Sequence, residues 1–338
     1  MLTIYDDLPD GLLECEATSL HTVLPGPSLI HLQGKRRDPL FLSVLLHGNE
    51  TTSWLAVRSV LRDYQQRELP RSISLFIGNV HAAARGVRHL DGQPDFNRIW
   101  QAEGHHEEEV MVRQILEQMR ERKVFASIDI HNNTGRNPHY ACVNRLEMPF
   151  FQLATMFSRT VVYFLKPDSV QSMAFAELCP AVTVECGKVA DQSGIQHARE
   201  FIQSVLALEQ FSDEDMDINR LDVFHTVAVV KVRDGMSVGV AQDGVDLDLL
   251  PEVDQYNFLE IQAGTPIARV HQDRGLPLLA ENEYGQDVSA RYFDMRDGYV
   301  CNHVPLMPSM MTLDVEVVRQ DCLCYVMERL DLDAHMVR

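Results

Sequence analysis

The chain has 338 residues, 45% hydrophobic and 23% charged, which is ordinary globular usage with enough apolar material for a sizeable core and no compositional case for disorder. A chain this long exceeds what one hydrophobic core usually organises, so two domains are expected. Against 49 Asp and Glu there are only 30 Lys and Arg, a net charge of −19, which argues against nucleic acid and against an anionic membrane surface as partners.

The N-terminus carries Asp6 and Asp7 where a secretory leader needs basic residues, and no apolar run reaches the length of a membrane span. A cytoplasmic protein is expected, with homo-oligomerisation left open. The seven cysteines show no framework spacing, so structural disulfides are not expected. Cys322 and Cys324 read as two small packed side chains of a strand, since no second cysteine pair completes a zinc site.

From about residue 40 short β-branched runs alternate with amphipathic stretches. Strands are predicted over 40–46, 73–78, 124–130, 160–164 and 181–185, and helices over 51–68, 107–123 and 195–211. This pattern predicts an α/β domain over 1–211, with a mostly parallel mixed sheet flanked by helices. Residues 212–220 are acidic and almost free of apolar side chains, the mark of a linker. Beyond it, over 221–338, short runs at 226–232, 258–262 and 311–318 alternate with Gly- and Pro-containing turns, which predicts a smaller β-rich domain.

Four segments bear chemistry. In Leu45-Leu46-His47-Gly48-Asn49-Glu50 a buried strand ends in a histidine and a helix begins three residues later with a glutamate. Both side chains suit a catalytic zinc, which takes three His or carboxylate ligands and leaves a position for water. Glu50 equally suits the positive end of a helix dipole. Next, the turn-rich segment from Arg88 to Arg98 offers arginines for an oxyanion or a substrate carboxylate, or simply a solvated charged loop. A second strand ends at His131, where ligands of open α/β sheets gather, with Asp129 on the same face as an alternative structural partner. A third strand ends at Glu185, a candidate general base.

His-x-x-Glu, Asp-x-Asn-Arg, His and Glu in this order resemble the zinc carboxypeptidase fold. Within it the sequence is most similar to the succinylglutamate desuccinylase/aspartoacylase family, whose His-Gly-Asn-Glu opening matches residues 47–50 letter for letter. The stretch from Asn79 to Arg98 resembles that family's arginine and Asp-Leu-Asn-Arg block, and Asn257-Phe258 with Gly264-Thr265 resembles its C-terminal part more faintly.

The resemblance implies one Zn2+ per chain held by His47, Glu50 and His131, with Glu185 as general base and acid. It further implies that Asp95 orients His47, that Arg88 polarises the scissile carbonyl, and that Asn97 and Arg98 hold a substrate carboxylate. Tyr140, in a loop rich in rings and positive charge, is a candidate for substrate binding. The implied activity is hydrolysis of a small N-acyl amino acid. A carboxypeptidase-like action on short peptides, an ester or modified-side-chain substrate, and a non-catalytic zinc-binding protein of the same fold are the alternatives.

The chain departs from the family pattern in several places. Three extra residues precede the Asp95–Arg98 block, Phe96 replaces leucine and Val80 replaces proline. Phe175 stands about ten residues before Glu185, where the aspartoacylase pattern has an arginine, so a clamp for a second substrate carboxylate is not expected there.

Overall fold

The structure is a computed structural model that describes residues 1–101, 103–212, 220–271 and 275–332. Most of the predicted linker, 213–219, lies outside the described residues. The chain divides into two compact units: residues 1–132, 139–223 and 331–338 in one, and residues 133–138 and 224–330 in the other. The hexapeptide after the His131 strand therefore counts with the second unit, which contiguous domain boundaries do not anticipate.

The first unit contains, in chain order, β1 (Thr3–Tyr5), β2 (Ser28–Leu32), β3 (Gly34–Val44), α1 (Thr52–Asp63), β4 (Leu69–Ile77), α2 (Val80–Arg85), α3 (Glu107–Glu121) and β5 (Ala126–His131). It continues with β6 (Tyr140–Val143), α4 (Met148–Thr155), β7 (Thr160–Tyr163), α5 (Gln171–Phe175), β8 (Ala181–Glu185) and α6 (Gln192–Ala207). Its strands line up as β1-β2-β4-β3-β5-β8-β6-β7. The core of the sheet is parallel, β4 to β3 to β5 to β8, while β2 and β6 run antiparallel to β4 and β8.

Strands covered on both faces need unbroken apolar runs. Residues 40–44 of β3 and all of β5 and β8 are buried. Each large apolar side chain there contributes roughly 1.5–3 kcal/mol relative to exposure. The short α5 lies on the sheet face that carries Ser127: Gln171 donates to Ser127 Oγ at 2.7 Å, and Phe175 stacks on Phe41 with ring centroids 4.3 Å apart. Phe175 is fully buried and also meets Trp100 edge-on, so this position serves the core.

The second unit holds β9 (Asp222–Val232), β10 (Val238–Val240), β11 (Leu247–Leu249), β12 (Pro266–Val270), β13 (Leu278–Asn282), α7 (Ser289–Tyr292), β14 (Phe293–Arg296), β15 (Tyr299–Asn302), β16 (Met307–Ser309), α8 (Val315–Gln320) and β17 (Cys324–Arg329). In it β9 lies between β13 and β17, β17 also pairs with β16, and a separate five-stranded sheet runs β10-β11-β12-β15-β14. Both sheets contribute to one apolar cluster that includes Val230, Leu247, Ile267 and Val326.

Two predicted strands of this unit are absent. In 258–262, Phe258 takes a left-handed φ of 59°, which a strand cannot continue through, and only Ile261 bridges to Leu306. In 311–318, Asp314 Oδ1 accepts from the amides of Glu316 and Val317 and starts α8 instead. Of the Cys322–Cys324 pair only Cys324 lies in a strand. All seven cysteines are free and buried. No helix among the described residues is long and apolar enough to cross a membrane.

Candidate metal centre

The His47 turn is built under constraint. Leu45, just past β3, holds a left-handed φ of 54° while fully packed, a conformation that costs of order 1–3 kcal/mol for a non-glycine residue. Its amide receives support from Ser53 Oγ at 3.2 Å, and its carbonyl accepts from Asn79 at 2.6 Å. The chain then turns, with the Glu50 amide donating to the His47 carbonyl at 3.1 Å. Gly48 is required there: a Cβ would sit 2.3 Å from the Ala83 amide nitrogen of α2.

The other two sites need no such strain. In parallel β5 and β8, Asp129 pairs with Thr183 and His131 with Glu185. Antiparallel β6 sets Tyr140 opposite Glu185 and Cys142 opposite Thr183. Side chains in register share a face, so Asp129, His131, Glu185 and Tyr140 emerge on the same side of the sheet. His131 and Glu185 also end their parallel strands, where α/β sheets place their ligands.

Glu50 joins the two histidines. Its Oε1 is 2.8 Å from His47 Nδ1, its Oε2 is 2.7 Å from His131 Nδ1, and the Asn132 amide donates to Oε2 at 3.0 Å. Each ring gives its far nitrogen to a separate aspartate: His47 Nε2 lies 3.1 Å from Asp95 Oδ1, and His131 Nε2 lies 2.7 Å from Asp129 Oδ2. The ring centroids are 5.0 Å apart. His47, Glu50 and His131 are all buried and offer ligand atoms within 4.8 Å of one another.

The electrostatics suit a cation. Burial and Arg88 lower the His47 pKa, but Glu50 and Asp95 more than offset them and the net shift is upward. For His131 burial again opposes charge, and Asp129 with Glu50 drives the pKa well above the usual imidazole value. Burial works against ionisation of Glu50, yet the two imidazoles hold its pKa low. Asp95, buried as well, is held low by His47 and then by Arg88 and Arg98. A neutral imidazole has one N–H, whereas each ring here faces carboxylate oxygens with both nitrogens. A divalent ion held by His47, Glu50 and His131 would supply positive charge there and would leave the far nitrogen of each ring to its aspartate, the arrangement that metal-ligating histidines favour. The donor set thus fits Zn2+.

The remaining sequence-predicted residues fall around this centre. Asp95 accepts from Arg88 Nε and Nη2 at 3.1 and 2.9 Å and from the Asn97 amide at 2.7 Å. The Arg88 carbonyl accepts from Gly48 at 3.0 Å, which ties that loop to the His47 turn. Arg98 donates to the Asn97 carbonyl at 2.9 Å. Asn97 is buried: its Oδ1 accepts from the Gln171 amide at 2.9 Å, and its Nδ2 lies 3.2 Å from His131 Nε2. Tyr140 is buried beside Glu185 in register.

Sequence reasoning set Asp129 against the metal reading as a rival explanation of His131, but the geometry accommodates both, because Asp129 takes the nitrogen turned away from Glu50. The i, i+2 spacing along β5 was the available signal. It gave no signal for Asn132 or Gln171.

The succinylglutamate desuccinylase/aspartoacylase catalytic domain profile matches residues 38–210. None of the curated protein sequences matches significantly. Among solved structures, the succinylglutamate desuccinylase of Chromobacterium violaceum is similar at a TM-score of 0.60 and 17% identity, covering 90% of this chain and 88% of its own. The ectoine utilization protein EutE (DoeB) of Ruegeria pomeroyi is similar at a TM-score of 0.58 and 14% identity, over 88% of each chain. Murine aminoacylase 3 is similar at a TM-score of 0.55 and 14% identity, covering 88% of this chain and 95% of its own. At these identities the structures attest the fold, whereas the domain profile spans more than half of the sequence, and on that ground the chain belongs to the succinylglutamate desuccinylase/aspartoacylase family.

Proposed function

We propose that the protein is a zinc-dependent amidohydrolase that releases the amine from a small N-acyl amino acid. The observation that carries the reading is Glu50 bridging two buried imidazoles, each braced from behind by its own aspartate. His47, Glu50 and His131 hold the ion, which when bound acts as a Lewis acid and lowers the pKa of water.

The chain's own side chains perform the rest. Glu185, at the end of the strand beside His131, takes a proton from the attacking water and delivers it to the leaving nitrogen. Arg88, fixed by its two bonds to Asp95, polarises the amide carbonyl. Arg98 and Asn97 hold the substrate carboxylate, and Tyr140 bounds the site next to Glu185. Phe175 faces the core, which supports a substrate whose second group is not an anion clamped from that position.

The test is hydrolysis of a panel of N-acyl amino acids and short peptides by zinc-loaded protein, read as free amine and repeated after chelation. Chelator-sensitive release from an acyl amino acid is expected. Release from peptides alone would favour a carboxypeptidase-like activity, and silence with zinc bound would refute the deacylase reading.

A further inference from the structure

Asn132 follows His131 and is buried, and it bonds to three parts of the first unit at once. Its amide donates to Glu50 Oε2 at 3.0 Å, its Oδ1 accepts from the Thr52 amide at 3.3 Å, and its Nδ2 donates to the Gly187 carbonyl at 2.9 Å. The Thr52 bond is informative. The first amides of a helix lack partners within it, and Thr51, the N-cap residue of α1, makes no side-chain cap bond. Asn132, just past the end of β5, supplies a cap at Thr52, two residues from Glu50. Gly187 stands two residues beyond Glu185 with a left-handed φ of 73°, and the Asn132 bond fixes its carbonyl. Near it, a Cβ on Gly187 would lie 3.2 Å from His139 Nε2.

Resting on the deacylase reading, we propose that Asn132 is a positioning residue that couples the metal-ligand carboxylate Glu50 to the base Glu185 by tying the head of α1 to the turn after β8. The side chain spans the two segments, and the backbone amide holds Glu50 independently of it. Removing the side chain therefore loosens the relation between ligand and base while one bond to the ligand survives.

Two variants separate the bonds. Asn132→Asp keeps the size and the acceptor for Thr52 but loses the donor to Gly187, whereas Asn132→Ala loses both. Amide hydrogen exchange is expected to quicken over residues 186–191 in both variants and over residues 51–54 only in Asn132→Ala. Zinc affinity, measured by chelator competition, is expected to fall about 10-fold or more in Asn132→Ala and to stay at or above wild type in Asn132→Asp, whose added charge favours the cation.

On the substrate found by the panel, kcat should fall roughly 10- to 100-fold in both variants with KM nearly unchanged, and the acid limb of the pH profile should move. Wild-type exchange over 186–191 together with wild-type kcat in folded Asn132→Asp overturns the proposal. So does a loss of activity that merely tracks the unfolded fraction. If Asn132→Ala fails to fold, Asn132→Asp decides alone. If the panel is silent but exchange and zinc affinity change as described, the deacylase reading falls and the coupling stands.

Discussion

Two sets of carboxylates, one in each unit, meet different partners. In the first, Glu50, Asp95 and Asp129 share two imidazoles between them. In the second, carboxylates close turns on backbone amides: Asp246 accepts from Ser237 N and Oγ at 2.8 and 2.7 Å, Asp248 from Gln242 N at 2.9 Å, and Asp314 from two amides at the start of α8. Neutral N–H donors satisfy an anion without creating a need for a cation. Where buried carboxylates and imidazoles converge, the cluster offers the ligand atoms a metal ion takes. An excess of acids in the composition says nothing about which regime a given acid serves, because the partner decides it.

Removing the proposed base or the proposed ligands breaks this contrast most severely. Glu185→Gln should keep its zinc while kcat drops on the order of 10²- to 10⁴-fold; near-wild-type turnover would remove Glu185 from its role. His47→Ala and His131→Ala should purify without stoichiometric zinc, as metal analysis would show.

Next come the aspartates behind the rings. Asp129→Asn and Asp95→Asn should each weaken zinc about 10- to 100-fold by chelator competition. Asp95→Asn should also cost kcat at saturating zinc, because it releases Arg88, whereas Asp129→Asn should not. Identical behaviour of the two would contradict separate duties for the two aspartates.

Asp314→Ala in the second unit should cost about 1 kcal/mol as a lost helix cap, by the same amount with and without zinc. A zinc-dependent difference in its melting shift would tie Asp314 to the metal.

The smallest effect is at Asp287, whose pKa is pulled down to about 2 by its bonds to the Ser289 hydroxyl and to Arg233. A depressed carboxylate pKa stabilises the fold above the unfolded value of 3.8 and loses that contribution as pH falls through about 2. With 48% of its side chain exposed, the pair is worth less than about 1 kcal/mol. The urea midpoints of wild type and Asp287→Asn should therefore differ slightly near neutrality and converge in acid.

How much of this was legible in the sequence follows from the range of the interactions. The β5 and β8 ends were legible because strand periodicity places His131 and Glu185 by local rules, and residues 47–50 because their motif is compact. The role of Asn132 was not, since its partners are 80 and 55 residues away and an asparagine before a polar loop looks like any turn residue. The runs at 258–262 and 311–318 misled because apolar alternation suits a strand, whereas the Asn257 side chain binds the Met311 amide and carbonyl and Asp314 starts a helix within the second run. Residues 133–138 look like a simple connection, yet Asn137 Oδ1 accepts from the Met310 amide at 2.9 Å, a pairing that no local pattern announces.

The burial of every cysteine has a practical consequence. Burial pushes the Cys179 thiol well above its usual value and the Cys324 thiol up to about 12, and the thiolate is the reactive form. The native chain should thus be nearly inert to maleimides while folded. A cysteine placed at Tyr284, whose side chain stands in solvent at 81% exposure, would then be a single addressable handle for a fluorophore or a surface tether, with no need to strip the native thiols first.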